Sequence, residues 1–492
     1  MSPILVLAVL VSYFAVLFLI SRITSRKVNV DTYFTGNRQS PWFVVAFGMI
    51  GASLSGITFI SVPGEVGNTN FYYFQLVLGY LVGYFVIATI LLPLYYRLKL
   101  VSIYSYLETR FGAVSHKTGS LFFLISQSIG ASLRLFVVSG VLHLALFQYY
   151  HIPFMLTVCL TILLIWAYTN KAGIKTIVWT DIFQTSMMLL SVGVTIYIVS
   201  RDMNLSFGEM TNTIINSEHS TIFNWDWKFE KNFYKQFITG IVVAIAMNGL
   251  DQNAMQKSLT CRNLKEAQKN IFLYSIILVV TNLIFLSLGV LLFAYVQISG
   301  IVLPLDQAGK ILDTDNLFPS LALNQFGTTA GIIFMLGIAS AAFSSADSAL
   351  TSLTTAFYTD FLLLDHKTDK EKTRIRKWIN IAFALILITI IMIFRVLNND
   401  SVINTVFTIA GYTYGPLLGL YSFGLFTKYK VKDRWVPVVA ILSPLMAWLL
   451  NLLMIKLFGF YLGYTLLFFN GLITFGGLWL IRIPRPGNPI IE

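Results

Sequence analysis

Ser344, Ser345, Asp347 and Ser348 fall within about one and a half helical turns, inside an apolar stretch running from Thr328 to roughly Leu363. That stretch is long enough to cross a bilayer. A carboxylate at such depth costs on the order of 2.5–3.5 kcal/mol on insertion scales, so it faces a cavity, a partner or an ion. Neighbouring hydroxyls beside a carboxylate are hard oxygen donors, the kind a small hard cation prefers. Asp347 shares a helical face with Ser340, Ser344, Ser348 and Thr351, although single serines also satisfy themselves on the preceding turn. The cluster points to ion-coupled transport.

Other intramembrane polar residues extend this chemistry. An apolar segment over 41–63 carries Gly48, Gly51, Ala52, Ser53, Leu54, Ser55, Gly56 and Thr58. Glycines flanking hydroxyls favour local unwinding, which frees carbonyls to bind an ion; a small-residue packing face is the competing reading. Asp181 lies about two turns in from Lys175, and its partner is an ion, a hydroxyl, a proton or interfacial water. Arg134 is mid-segment with no acid in its own helix, so it either neutralises Asp347 or Asp181 or grips an anionic solute with its planar fork. Asp251 and Gln252 close another segment and suit gating, capping or binding. Gly411, Gly415 and Gly419, four residues apart, form a face for close helix packing.

The elements that position these residues follow from composition. Hydrophobic residues make up 56% of the 492 and charged residues 11%, with mean hydropathy +0.74; soluble chains carry about 25% charged residues. Thirteen helical segments are expected near 3–21, 41–63, 71–96, 118–147, 152–169, 175–200, 233–252, 270–298, 328–363, 377–397, 402–427, 436–457 and 462–482. Residues 101–111 read as a short amphipathic helix at the membrane interface, Tyr104, Tyr106 and Leu107 opposing Glu108 and Arg110.

The formal charge of +12 comes from short basic clusters between apolar runs, not from a nucleic-acid-binding patch. Of 34 Lys and Arg, 26 fall in alternate loops, including Arg22, Arg26, Lys27, Lys257, Arg376 and Arg485. Only seven, such as Arg201, Lys310 and Lys456, fall in the others. The rich side is cytoplasmic, which puts the N-terminus outside and the C-terminus inside. The apolar stretch 3–20 has neither a basic region before it nor a small-x-small pattern after it, and so reads as an uncleaved first span.

Cys159 lies in an apolar run and Cys261 in a basic loop, an arrangement unsuited to a disulfide or to metal spacing. The polar stretch 201–231 is too short for a catalytic module, and neither HExxH nor a P-loop occurs, so an enzyme or an ATP-driven pump is unsupported. A transporter-like sensor would need a signalling domain, and a passive channel remains an alternative.

Seven stretches together resemble the solute:sodium symporter family, which includes bacterial sodium/galactose, sodium/sialic acid and sodium/proline transporters. They are DTYFTGNR (31–38), GASLSGITFISVPG (51–64), SIYSYLETRFG (102–112), WTDIFQ (179–184), DQNAMQKSLTCRNLKEAQKN (251–270), SSADSALTSLTTAFYTDF (344–361) and GYTYGPLLGLYSFGLF (411–426). The resemblance implies an all-α integral membrane protein with a five-plus-five inverted-repeat, leucine-transporter-type core. On that reading 1–40 holds a peripheral helix and a cytoplasmic loop, 41–200 the first repeat and 201–232 an extracellular loop. The second repeat is 233–427, and two peripheral helices occupy 428–492.

It further implies a sodium site made by the carbonyls of Gly51, Leu54 and Ala341 and the hydroxyls of Ser344 and Ser345. Relatives similar to sialic acid transporters hold a second sodium with an aspartate matching Asp181 and serines matching 347 and 348. Here Asp347 departs from that pattern, beside Ser348. Matching solute contacts are Ser53, Ser55, Thr58, Gln75 and Arg134, the last displaced one turn from the family's arginine position, which is Ala131 here. The implied function is sodium-coupled symport of a sugar or sugar acid, with an amino acid or monocarboxylate as alternative, by a monomer in the cell's inner membrane. Its partners are one or two sodium ions, the solute and lipid.

Overall fold

The computed structural model describes residues 3–25, 30–171, 173–229, 231–306, 311–312, 314–364, 366–397, 402–459 and 462–483. Arg26, Lys27, Lys310 and Arg485 of the charge pattern lie outside them. The helices that build the core are α1 (Pro3–Thr24), α2 (Trp42–Ser53), α3 (Gly56–Thr69), α4 (Tyr73–Val86), α5 (Ser105–Arg110), α6 (Ala113–Leu142), α7 (Phe154–Thr169) and α8 (Ile174–Asp202). They continue with α9 (Phe233–Ala244), α10 (Gln252–Ser258), α11 (Leu264–Ile298), α12 (Gly327–Phe361), α13 (Asp369–Leu397), α14 (Val402–Thr413), α15 (Gly415–Phe426), α16 (Val436–Phe458) and α17 (Leu466–Leu480).

Each of the thirteen apolar segments is helical. Among the described residues, nine helices are long and apolar enough to cross a membrane, or ten if a bent pair counts as one span. The shortfall lies in the shorter apolar helices 42–53, 154–169 and 415–426. The first is half of a broken span, and the third continues α14 through Tyr414, whose N–H donates to Ala410 and whose carbonyl accepts from Leu418. Among the described residues the regular structure is helical apart from a two-residue antiparallel pairing, Lys430–Val431 with Arg482–Ile483, and two isolated bridges.

Two breaks shape the centre. Between α2 and α3, Leu54 (φ −84°, ψ 59°) and Ser55 (ψ 170°) leave the helical region, as the glycine-flanked hydroxyls predicted. Gly51, just before the break, has no room for a side chain: a Cβ there would sit 2.5 Å from the Thr185 hydroxyl oxygen. The second break follows α9, whose last turn widens into a π-helical turn over Ile245–Gly249. The chain then bends by 71° into α10. Asp251 caps α10 by accepting from the N–H groups of Asn253 (2.7 Å) and Ala254 (3.2 Å), and Tyr414 donates to its other oxygen. Of the three roles left open for Asp251, capping is the one its bonds display.

Helix α12 is the axis of the molecule. Of its most apolar window 78% is buried, against 17% for the helix over 433–458, whose apolar side chains face outward as lipid contact requires. It packs on α8, α6, α2 and α13. The interfacial reading of 101–111 is corrected. Ile103, Tyr104 and Leu107 are fully buried in protein. The Tyr104 hydroxyl donates to the Leu250 carbonyl at 3.0 Å, and Gln252 bonds Ile103 N–H (2.9 Å) and the Val101 carbonyl (2.8 Å). Its apolar face closes onto the bent segment instead of lipid.

Candidate functional site

The α2–α3 break meets α12 at Ser344 and Ser345. Both hydroxyls are buried and both protons are committed. Ser344 donates to Asp181 Oδ1 at 2.6 Å, and Ser345 to the Ala52 carbonyl at 3.0 Å. A hydroxyl whose proton is spent this way presents its lone pairs, which is the orientation a cation needs. Across from them, among the described residues, no backbone N–H closes on the carbonyls of Gly51 or Leu54, because the helix stops there. The Gly51 N–H is taken by the Thr185 hydroxyl at 3.1 Å. Ala341 lies one turn before Ser345 on α12. The five oxygens proposed for sodium therefore come from two facing elements, and their donor set suits a small hard cation.

Asp181, Asp347 and Ser348 also converge, and all three are fully buried. Lys257 joins them, although its loop position had placed it with the cytoplasmic charges. It lies in α10, 2% exposed, with its Nζ 2.6 Å from Asp181 Oδ2. The partner of Asp181 is thus an ammonium on one oxygen and a hydroxyl on the other. Asp347 accepts from the Tyr168 hydroxyl (2.7 Å) and from Ser348 (3.2 Å).

A cavity of about 130 Å³ opens on the other side of the break. Ser53, Ser55 and Thr58 line it, together with Gln127, Arg134, Asp251, Lys257 and Asn282. Arg134 touches neither Asp181 nor Asp347; among the described residues its guanidinium makes no hydrogen bond or close ion pair, and the carboxylate its charge acts on is Asp251, in the same cavity wall. The Gln127 amide nitrogen and the Asn282 amide oxygen are buried without partners. Unspent donors and acceptors around a cavity mark what its occupant must supply. Gln75 lies outside this cavity. Its amide donates to the carbonyls of Tyr72 (3.2 Å) and Lys231 (3.0 Å) and accepts from Asn224 N–H (3.2 Å), so it staples the 224–231 loop to α4.

The family model described as sodium:solute symporter family matches residues 33–432. The chain belongs to that family. It is 26% identical over 435 residues to the sodium/sialic acid symporter SiaT of Proteus mirabilis (strain HI4320), covering 86% of this chain and 84% of that one. It is 25% identical over 418 residues to the sodium/sialic acid symporter NanT of Aliivibrio fischeri (strain ATCC 700601 / ES114), covering 82% and 79%. Among solved structures it is similar to a substrate-bound, outward-open Na+-coupled sialic acid symporter (TM-score 0.79, 20% identity, 96% of this chain and 97% of the other). A nucleobase-cation-symport-1 family transporter in a closed conformation is also similar (TM-score 0.54, 15% identity, 91% and 94%). These likenesses carry the fold, including the inverted-repeat core.

This symporter therefore couples a solute to sodium across a membrane it spans many times. Four of its site residues escaped the sequence reading. Thr185 is one turn from Asp181 and Gln127 is two turns from Arg134, so helical spacing from a known polar residue could have found both. Asn282 is one amide inside a long apolar run, a weaker signal. Lys257 gave none, because a lysine beside a polar loop looks like topology until the helix bends inward.

Proposed function

We propose that this symporter imports a small carboxylate-bearing solute, a sugar acid such as sialic acid being the best fit, by alternating access driven by sodium. The observation that carries this reading is the unpaired Arg134 guanidinium in the cavity, two helical turns from the free Gln127 amide N–H on the same face of α6. Planar guanidinium donors recognise carboxylates bidentately. Ser55, Thr58 and Asn282 offer partners for hydroxyls on the rest of the solute. The relatives that bear sialic acid symporter names support the same class.

Sodium binds the carbonyls of Gly51, Leu54 and Ala341 and the hydroxyls of Ser344 and Ser345, joining the break to α12. Bound there, it favours the state in which both elements are clamped together and the adjoining cavity is shaped for solute. The repeats 41–200 and 233–427 then move against each other and expose the cavity to the cytoplasm. The protein lies in the cell membrane with its N-terminus outside, a reading that the basic loops support. At 100 mV each charge carried inward contributes about 2.3 kcal/mol.

The test is uptake into proteoliposomes under an inward sodium gradient, comparing sialic acid, a short monocarboxylate and a neutral sugar. Arg134→Ala should reduce uptake of the acid about 10- to 150-fold, the equivalent of one charged hydrogen bond of about 1.5–3 kcal/mol. A monocarboxylate serves Arg134 equally well, so a preference for it would move the substrate class without moving the site. Neutral sugar accumulated as well by Arg134→Ala as by the parent would remove the carboxylate reading.

A further inference from the structure

We infer that the Lys257 ammonium is a resident cation occupying the place a second sodium would take, so that this symporter binds one sodium ion. The inference rests on the sodium site proposed above and concerns the cluster next to it. A second ion would need oxygens from Asp181, Asp347 and Ser348. Both Asp181 oxygens are already engaged: Oδ1 accepts from Ser344 at 2.6 Å, and Oδ2 lies 2.6 Å from Lys257 Nζ, which fills the cation's place beside it. That nitrogen is in direct contact with the oxygen, as a bound metal would be, and a sodium ion beside it would meet a like charge in a water-excluded interior. These residues do not fit a second sodium while Lys257 points inward.

The charge count agrees. Asp181 and Asp347 are both fully buried; Ser344, Tyr168 and Ser348 donate to them, Tyr13 and Gln184 nearby bring no charge, and among the described residues Lys257 is the cation that pairs with the cluster. With both carboxylates ionised, one ammonium and one sodium balance them, and Lys257 alone balances Asp181. A second sodium would leave an uncompensated positive charge among fully buried side chains, which is costly. The tethered cation also connects the two sites. Ser344, a proposed sodium ligand, bonds Asp181; Asp181 pairs with Lys257; Lys257 lines the solute cavity. It comes from α10, on the bent segment, and its partner from α8.

Equilibrium binding of radioactive sodium to the purified full-length protein tests this directly. The wild type should bind one equivalent. Lys257→Ala, which leaves both carboxylates and vacates the ammonium's place, should bind two, and Lys257→Arg should return to one. Two equivalents on the wild type would overturn the inference whether or not any variant folds. So would a folded Lys257→Ala that still binds one. No sodium on the wild type would sink the first site itself, a different failure from either of these.

Discussion

The Ser345 hydroxyl gives its proton to Ala52 across the helix break, which leaves that oxygen free to accept a cation. Removing it should therefore weaken sodium without disturbing the solute cavity. Ser345→Ala is expected to raise the sodium concentration for half-maximal uptake about tenfold, near 1.4 kcal/mol, with the maximal rate at saturating sodium retained. An unchanged sodium curve would show that this oxygen is not a ligand. At this scale the serines and Arg134 were legible because each violates its apolar surroundings. Which acid pairs with which base was not. Arg134 was matched to Asp181 or Asp347 on charge alone, yet the ammonium that reaches Asp181 is Lys257, whose helix turns toward the centre only after the 71° bend. Gln75 entered as a match to the family's solute contacts, and its hydrogen bonds serve a loop instead.

Helix contacts set where the broken span can stand. Helix α15 lies against α17 through glycines: a Cβ on Gly415 would sit 2.2 Å from Asn470, and one on Gly419 would sit 2.4 Å from Thr474. The face read from the four-residue spacing is a packing face at these two positions. Gly411 differs, since its nearest atoms are 3.6 Å away, ordinary contact. Gly415→Leu should thus destabilise the purified protein by about 1–3 kcal/mol through overpacking, whereas Gly411→Ala should melt close to the parent. Melting curves in detergent decide between them, and equal curves for all three proteins would refute the contact. Helix α5 shows the opposite lesson. Its amphipathic pattern was read correctly, but a pattern cannot say whether lipid or protein covers the apolar face.

For the whole molecule the testable consequence is orientation. The native cysteines give a quiet background: Cys159 is half-buried. The Cys261 thiol is buried, and desolvation pushes it up to about 12, so little thiolate forms near neutral pH. Maleimide should accordingly label the native protein slowly and the unfolded protein fast. On that background Ser217→Cys should react with an impermeant maleimide in intact cells, and Thr368→Cys only after permeabilisation. The reverse pattern would invert the topology drawn from the basic loops.

The family resemblance set the serine pair opposite the helix break; the sequence by itself determined the membrane class, the helical segments, the polar serine cluster and a glycine-flanked stretch suited to unwinding. All of these follow from local costs that each residue carries with it: charge or hydroxyl in hydrocarbon, glycine beside unwound backbone, lysine and arginine kept to one side. Tertiary structure decided the pairings. Asp181 meets Ser344 from 163 residues away and Lys257 from 76, distances over which spacing carries no information. Only the bend after α9 and the approach of α8 to α12 bring an ammonium to the carboxylate and leave a guanidinium unpaired in the cavity. A buried charge requires a partner, and the fold chooses which one.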